Sequence, residues 1–186
     1  MLRTIDAVER LRRWDIEGHY VWTRTDLGVL FPEHSRKRLS ATLARLGEEN
    51  VLRRACRGVY VLREARSDDG RTLERVARAL RRGMRSYVSL ESALAEYGWL
   101  SQIMPDRLTV MTSGRRGELR TPWGVLELIH TERSSLSILD STVDVGRPLR
   151  LATAPAAWRD LKRVGRNTDL VDVGGWDDDD VAGEAR

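Results

Sequence analysis

The chain has 186 residues, of which 41% are hydrophobic and 32% charged, with a formal net charge of +4. These values allow one large or two small packed domains and exclude a disordered chain of low hydrophobicity. No stretch approaches the ~18 apolar residues of a membrane helix, and the first residues do not read as a secretory signal. The lone Cys56 excludes an intrachain disulfide or a cysteine-cluster metal site, so the expected location is a reducing cytoplasm.

The first segment reads as a helix that Thr4 caps. Ile5, Val8, Leu11 and Trp14 recur at spacing three and form its apolar stripe, and Gly18 closes the unit. His19-Tyr20-Val21-Trp22 is a short β-prone run. Thr25 is expected to cap a second short helix, Asp26 to Leu30, with Asp26 favoured in its first turn by the helix dipole. Phe31-Pro32 stops it, because proline disfavours helical geometry in the residue before it. Ser35 caps a third helix to about Leu46. Leu39, Leu43 and Leu46 mark its buried face, and Gly47 its stop.

Val51-Leu52-Arg53-Arg54 and Val59-Tyr60-Val61-Leu62 then read as a β-hairpin turning at Gly58. Three helices and a hairpin in this order predict a winged helix-turn-helix domain over residues 1–66. The polar stretch Glu64 to Arg71 reads as a linker.

Beyond it, Thr72 to Arg82 reads as a helix with Leu73, Val76, Ala77 and Leu80 on one side. Tyr87-Val88-Ser89 leads into a helix from Leu90 to Tyr97 that Gly98 stops. Leu108 to Thr112 reads as a strand with alternating faces. Gly114 to Gly117 is a basic turn, and Glu118 to Arg120 and Val125 to His130 are two further strands. Ala156 to Val164 reads as a helix and Leu170 to Val173 as a last strand. The expected class is α+β, with a mixed α/β C-terminal domain over 67–175 and an acidic tail over 176–186.

Charge is distributed unevenly. Residues 1–66 hold 14 Lys/Arg against 9 Asp/Glu, residues 67–175 hold 17 against 14, and residues 176–186 hold 1 against 5. A basic leading domain suggests an anionic partner, with nucleic acid the commonest. Opposite the leucine face, the third helix presents Lys37, Ala41 and Ala44, flanked by Arg38 and Arg45. Small residues let the helix backbone approach base edges, Arg and Lys bond guanine, and alanine can touch a thymine methyl. Ser35 and Arg36 sit at the helix N-terminus, where amides and side chains hold phosphate. Arg53, Arg54 and Arg57 on the hairpin suit backbone or minor-groove contact. The DNA-binding set is thus Ser35, Arg36, Lys37, Arg38, Ala41, Arg45, Arg53, Arg54 and Arg57.

Enzymatic signals are weak. His19, His34 and His130 are scattered, and phosphate-binding glycine loops are missing. Arg54 and Arg57 could lower the Cys56 pKa, although a packing role is the simpler reading. Asp177 to Asp180 could hold a cation but read better as a solvated tail. Core packing is expected for most of the six tryptophans, with Trp176 exposed. No catalytic residue, metal, cofactor or membrane partner is expected.

The segment Tyr87-Val88-Ser89-Leu90-Glu91-Ser92-Ala93-Leu94-Ala95-Glu96-Tyr97-Gly98-Trp99-Leu100 resembles the start of the C-terminal domain of AbiEi-type antitoxins. Pro105, the strand Leu108 to Thr112 and the run Pro122-Trp123-Gly124-Val125 to His130 follow in the family's order, and Leu46, Gly58, Val59 and Tyr60 are similar to its winged-helix half. The resemblance spans about residues 4–165, and its weight lies in the order of the motifs. It implies an antitoxin of a bacterial type IV toxin–antitoxin system, whose winged helix binds inverted repeats in its own promoter and represses the operon. Its partners would be double-stranded promoter DNA and a nucleotidyltransferase-like toxin, often neutralised without a stable complex. By this transfer Lys37, Arg38 and Arg45 face the operator. Where the family often has a leucine-rich C-terminal helix, Ala156 to Lys162 is more polar. The alternatives are a module that neutralises a toxin by direct binding and a stand-alone winged-helix regulator.

Overall fold

A computed structural model describes residues 4–100 and 106–172. Pro105, Val173, Trp176 and the acidic run Asp177–Asp180 lie outside the described residues. The fold is mixed α+β and divides into two compact units. One is built on the chain up to Arg82 together with Leu119–Trp123, the other on Gly83–Glu118 and the chain from Gly124 on.

The first unit opens with α1 (Thr4–Ile16), β1 (Val21–Thr23), α2 (Arg24–Leu30) and α3 (Arg36–Glu48). The hairpin β2 (Leu52–Cys56) and β3 (Val59–Leu62) and the helix α4 (Thr72–Leu80) follow. Its sheet has the order β1-β3-β2, and both pairings are antiparallel. Leu11, Tyr20, Leu27, Phe31 and Leu46 are fully buried and centre the core. The hairpin turns through Arg57 and Gly58. Gly58 has φ +81, a left-handed conformation that glycine adopts without steric cost. A register shift between Arg54 and Cys56 bulges β2.

The buried face of α1 differs from the sequence expectation. It consists of Ala7, Leu11 and Asp15, while Ile5 and Trp14 are exposed. The reason is a polar anchor. The Asp15 carboxylate accepts hydrogen bonds from the Ser67 hydroxyl (2.6 Å) and from the amides of Arg66 (2.8 Å) and Ser67 (3.1 Å). Burial alone would raise its pKa, but these bonds outweigh it and hold the carboxyl below its ordinary value. The segment read as a linker is therefore fastened down, and α4 packs on β1 and β3. Tyr20 adds to this tie by donating to Asp68 (3.0 Å) and sharing a hydrogen bond with Thr72 (3.1 Å). The first compact unit runs on through α4 to Arg82, because α4 packs on its sheet.

Two helix boundaries also move. Thr23, not Thr25, caps α2. Its hydroxyl accepts from the Asp26 amide while Asp26 accepts from the Thr23 amide (2.8 Å), a reciprocal capping box. α3 passes through Gly47 to Glu48, and the chain turns at Asn50, whose φ is +58.

The second unit carries β4 (Ser86–Val88), α5 (Leu90–Glu96), β5 (Arg107–Thr112), the first two residues of β6 (Gly117–Thr121), β7 (Gly124–His130), α6 (Ser135–Asp140), β8 (Thr142–Val143), β9 (Arg150–Ala152) and α7 (Ala154–Val164). The sheet order is β6-β7-β5-β4-β9-β8. β5 pairs parallel with β7 and β4 parallel with β9, while the β4–β5 and β8–β9 pairings are antiparallel. β5 does not alternate: its last four residues are all buried, as befits a central strand covered on both faces. The expected strand at Leu170 is a 3-10 turn, Thr168–Leu170, followed by a single bridge between Val171 and Leu100.

Trp22 is buried, whereas Trp99, Trp123 and Trp158 are half-buried and Trp14 is exposed, so the tryptophans contribute less to the cores than expected. No helix among the described residues is long and apolar enough to cross a membrane.

Candidate nucleic-acid interface

The site is built on α3 and the adjoining hairpin turn. Ser35 is the N-cap of α3 and accepts from the Arg38 amide (3.3 Å). The helix buries Leu39, Thr42, Leu43 and Leu46. This leaves Arg36, Lys37, Arg38, Ser40, Ala41 and Ala44 exposed. α1 braces the turn that presents α3: Arg10 donates to the Leu30 carbonyl (2.7 Å), pairs with Glu33 (3.0 Å) and lies over the Phe31 ring. His34 stacks on the same ring.

Of the residues read from the sequence, Ser35, Arg36, Lys37, Arg38 and Ala41 share the exposed N-terminal half of α3. Arg45 is half-buried, less available than its place on the helical wheel implied. Arg53, Arg54 and Arg57 are exposed on the hairpin. Two of them have intramolecular engagements. The Arg54 Nε donates to the Cys56 carbonyl (3.1 Å), and the Arg53 guanidinium lies 5.6 Å from the Trp123 ring centroid. Arg57, at the turn, has neither.

The charges on α3 run against its own dipole. A helix is stabilised by anions at its N-terminus and cations at its C-terminus. Here the first turn is Arg36-Lys37-Arg38, and Glu48 and Glu49 stand at the far end. The three cations make no ion pair or side-chain hydrogen bond among the described residues, and of the charges on the helix only Arg45, in the last turn, has the sign the dipole favours. A surface of this kind is positive at the N-terminal half of α3 and can attract an anion. Of these features, the acidic end and Ser40 escaped the sequence reading, although Glu48 and Glu49 were legible there.

The other chemistry-bearing residues are accounted for locally. Burial outweighs the pull of Arg54 and Arg81 and raises the Cys56 thiol pKa, in keeping with the packing role read as the simpler one. His19 is bonded to the Glu17 carbonyl and His130 to the Gly114 carbonyl. Among the described residues no group of three or more His, Cys, Asp or Glu is placed to hold a metal ion.

In the second unit, fully buried Asp160 pairs with Arg133 (2.8 Å) and accepts from the hydroxyls of Tyr87 (3.0 Å) and Ser89 (2.8 Å). Burial foremost, and then the Asp160 charge, push the Tyr87 pKa up. A second network joins Glu118, Arg107, Glu127, Arg166 and Glu91 by successive ion pairs. Both networks tie strands to helices.

No protein-family model matches this chain, and no curated protein matches it.

Proposed function

We propose that the first unit is a winged helix-turn-helix that lies on duplex DNA, with α3 as its recognition helix and the β2–β3 hairpin as its wing. The observation that carries this reading is the first turn of α3: three exposed cations with no ion pair or side-chain hydrogen bond among the described residues, opposed to the helix dipole. Ala41 and Ala44 let the helix backbone come close to base edges, and Arg57 adds charge at the hairpin turn. Taken with the resemblance to AbiEi-type antitoxins, this supports an antitoxin that binds inverted repeats in its own promoter and represses its operon, while its second unit serves to counter a nucleotidyltransferase-like toxin.

The test has two arms. Fluorescence anisotropy with the duplex upstream of the reading frame, against an unrelated duplex of equal length, is expected to show specific binding that weakens with salt. Equal, salt-insensitive binding to both would refute the DNA reading. Co-expression with an adjacent nucleotidyltransferase-like gene is expected to restore growth, and failure to do so would refute the antitoxin role.

A second reading, direct protein binding by the second unit, is favoured by one observation. Leu136 and Leu139 on α6, with Val143 and Val145 after it, expose apolar side chains, and such clusters mark interaction surfaces. Co-purification of a partner through high salt would select it.

A further inference from the structure

Arg24 stands outside the basic set legible in the sequence. Its amide donates to the Gly58 carbonyl in the hairpin turn (2.8 Å). Its Nη2 donates to Ser40 Oγ (2.7 Å) and to the Arg36 carbonyl (3.1 Å), and Ser40 Oγ donates to that same carbonyl (3.1 Å). One residue thus fastens the start of α2, the hairpin turn and the exposed side of α3.

Arg24 is half-buried as a residue, its two guanidinium hydrogen bonds lie at the exposed surface, and it has no carboxylate partner among the described residues. Asp26, two residues on, is committed to Thr23 and Arg82. Two of the five N–H donors of a guanidinium are used, so those on Nε and Nη1 remain for another acceptor.

We infer that Arg24 is a preorganised contact for a backbone phosphate of the duplex that α3 meets. With both Nη2 hydrogens engaged, its Nε–H and Nη1–H groups lie on different edges of the plane, and either can donate a single charge-assisted hydrogen bond to a phosphate oxygen. Its tether to Ser40 and Arg36 has already restricted the rotamers that a free arginine would lose on binding. This inference rests on the DNA-binding reading above.

Arg24→Gln in the full-length chain is the first test. The slope of log K against log salt is expected to fall by about 0.9, equally on the upstream and the unrelated duplex. Between about 50 and 200 mM salt that is about a threefold smaller loss of affinity than in wild type. A wild-type slope in R24Q, while Lys37→Gln lowers it, would overturn the inference and leave the DNA reading standing. Loss of salt-dependent binding in wild type would overturn both.

NMR of the arginine Nε–H groups in the wild-type chain, with Arg24→Lys to assign the signal, is independent of how R24Q folds. The Arg24 Nε–H is expected to shift and to exchange more slowly with water on addition of the unrelated duplex. An unmoved signal would mean an internal tie only.

Discussion

The sharpest test of the α3 assignment is the triple variant R36Q/K37Q/R38Q. These side chains are exposed and make no ion pair or side-chain hydrogen bond among the described residues, so replacing them removes no such bond there. On DNA, three lost phosphate contacts at about 0.9 each lower the log–log salt slope by about 2.7. Between about 50 and 200 mM salt, wild type then loses about 40-fold more affinity than the variant. On the folded state the sign is opposite. Each exposed cation in the first turn opposes the dipole by about 0.3 kcal/mol, so neutralising three stabilises the helix by about 1 kcal/mol. For a unit of this size that is a Tm higher by roughly 4–8 °C. Anisotropy titrations at several salt concentrations and thermal unfolding by circular dichroism read the two effects on the same protein. A folded variant with the wild-type salt slope would show that α3 does not face the duplex. A lower Tm would show that the three cations serve the fold.

Four further outcomes are expected. Arg57→Gln at the hairpin turn lowers the salt slope by about 0.9 equally on both duplexes, because a phosphate contact carries no sequence information, and a change confined to the upstream duplex would place Arg57 on a base edge. Thr23→Ala removes a reciprocal cap and costs about 1 kcal/mol by urea titration. Burial opposes ionisation of Asp26, but the hydrogen bonds from Arg82 and Thr23 prevail and depress its pKa. Its contribution is therefore complete above the unfolded carboxylate value and disappears as pH falls through the lower folded value, so Asp26→Asn flattens the acid limb of stability against pH. Asp160→Ala strands Arg133 and the hydroxyls of Tyr87 and Ser89 in the core and destabilises the second unit by about 3–5 kcal/mol in a guanidinium titration followed by tryptophan fluorescence, where a loss below about 1 kcal/mol would show that the buried carboxylate is dispensable.

Where the signals lay within one or two turns of chain, sequence reasoning reached the folded result. Ser35 as cap, the Leu39–Leu43–Leu46 spacing, the Gly58 turn and the exposed face of α3 are all short-range patterns. Thr23 and Asp26 were equally local, three residues apart in capping-box spacing, and went unread because Thr25 stood closer to the apolar run. The segment 131–153, holding α6, β8 and β9, left no comparable trace: its elements are two, three and six residues long, too short for a periodicity to show.

Residue order along the chain was enough to establish the mixed helix-and-strand content, the succession of elements in the first unit and most of the basic surface. What demanded the folded chain were pairings across long separations. Asp15 turns inward because the amides and hydroxyl that satisfy it sit about fifty residues away, which reverses the apparent face of α1 and draws α4 into the first unit. Arg24 meets Ser40 and Gly58 only once α2, α3 and the hairpin are packed together. Hydrophobic period and capping chemistry act over a few residues and are written in the order of the chain. The partner of a buried charge or a tethered guanidinium is chosen by packing, and packing is a property of the assembled core.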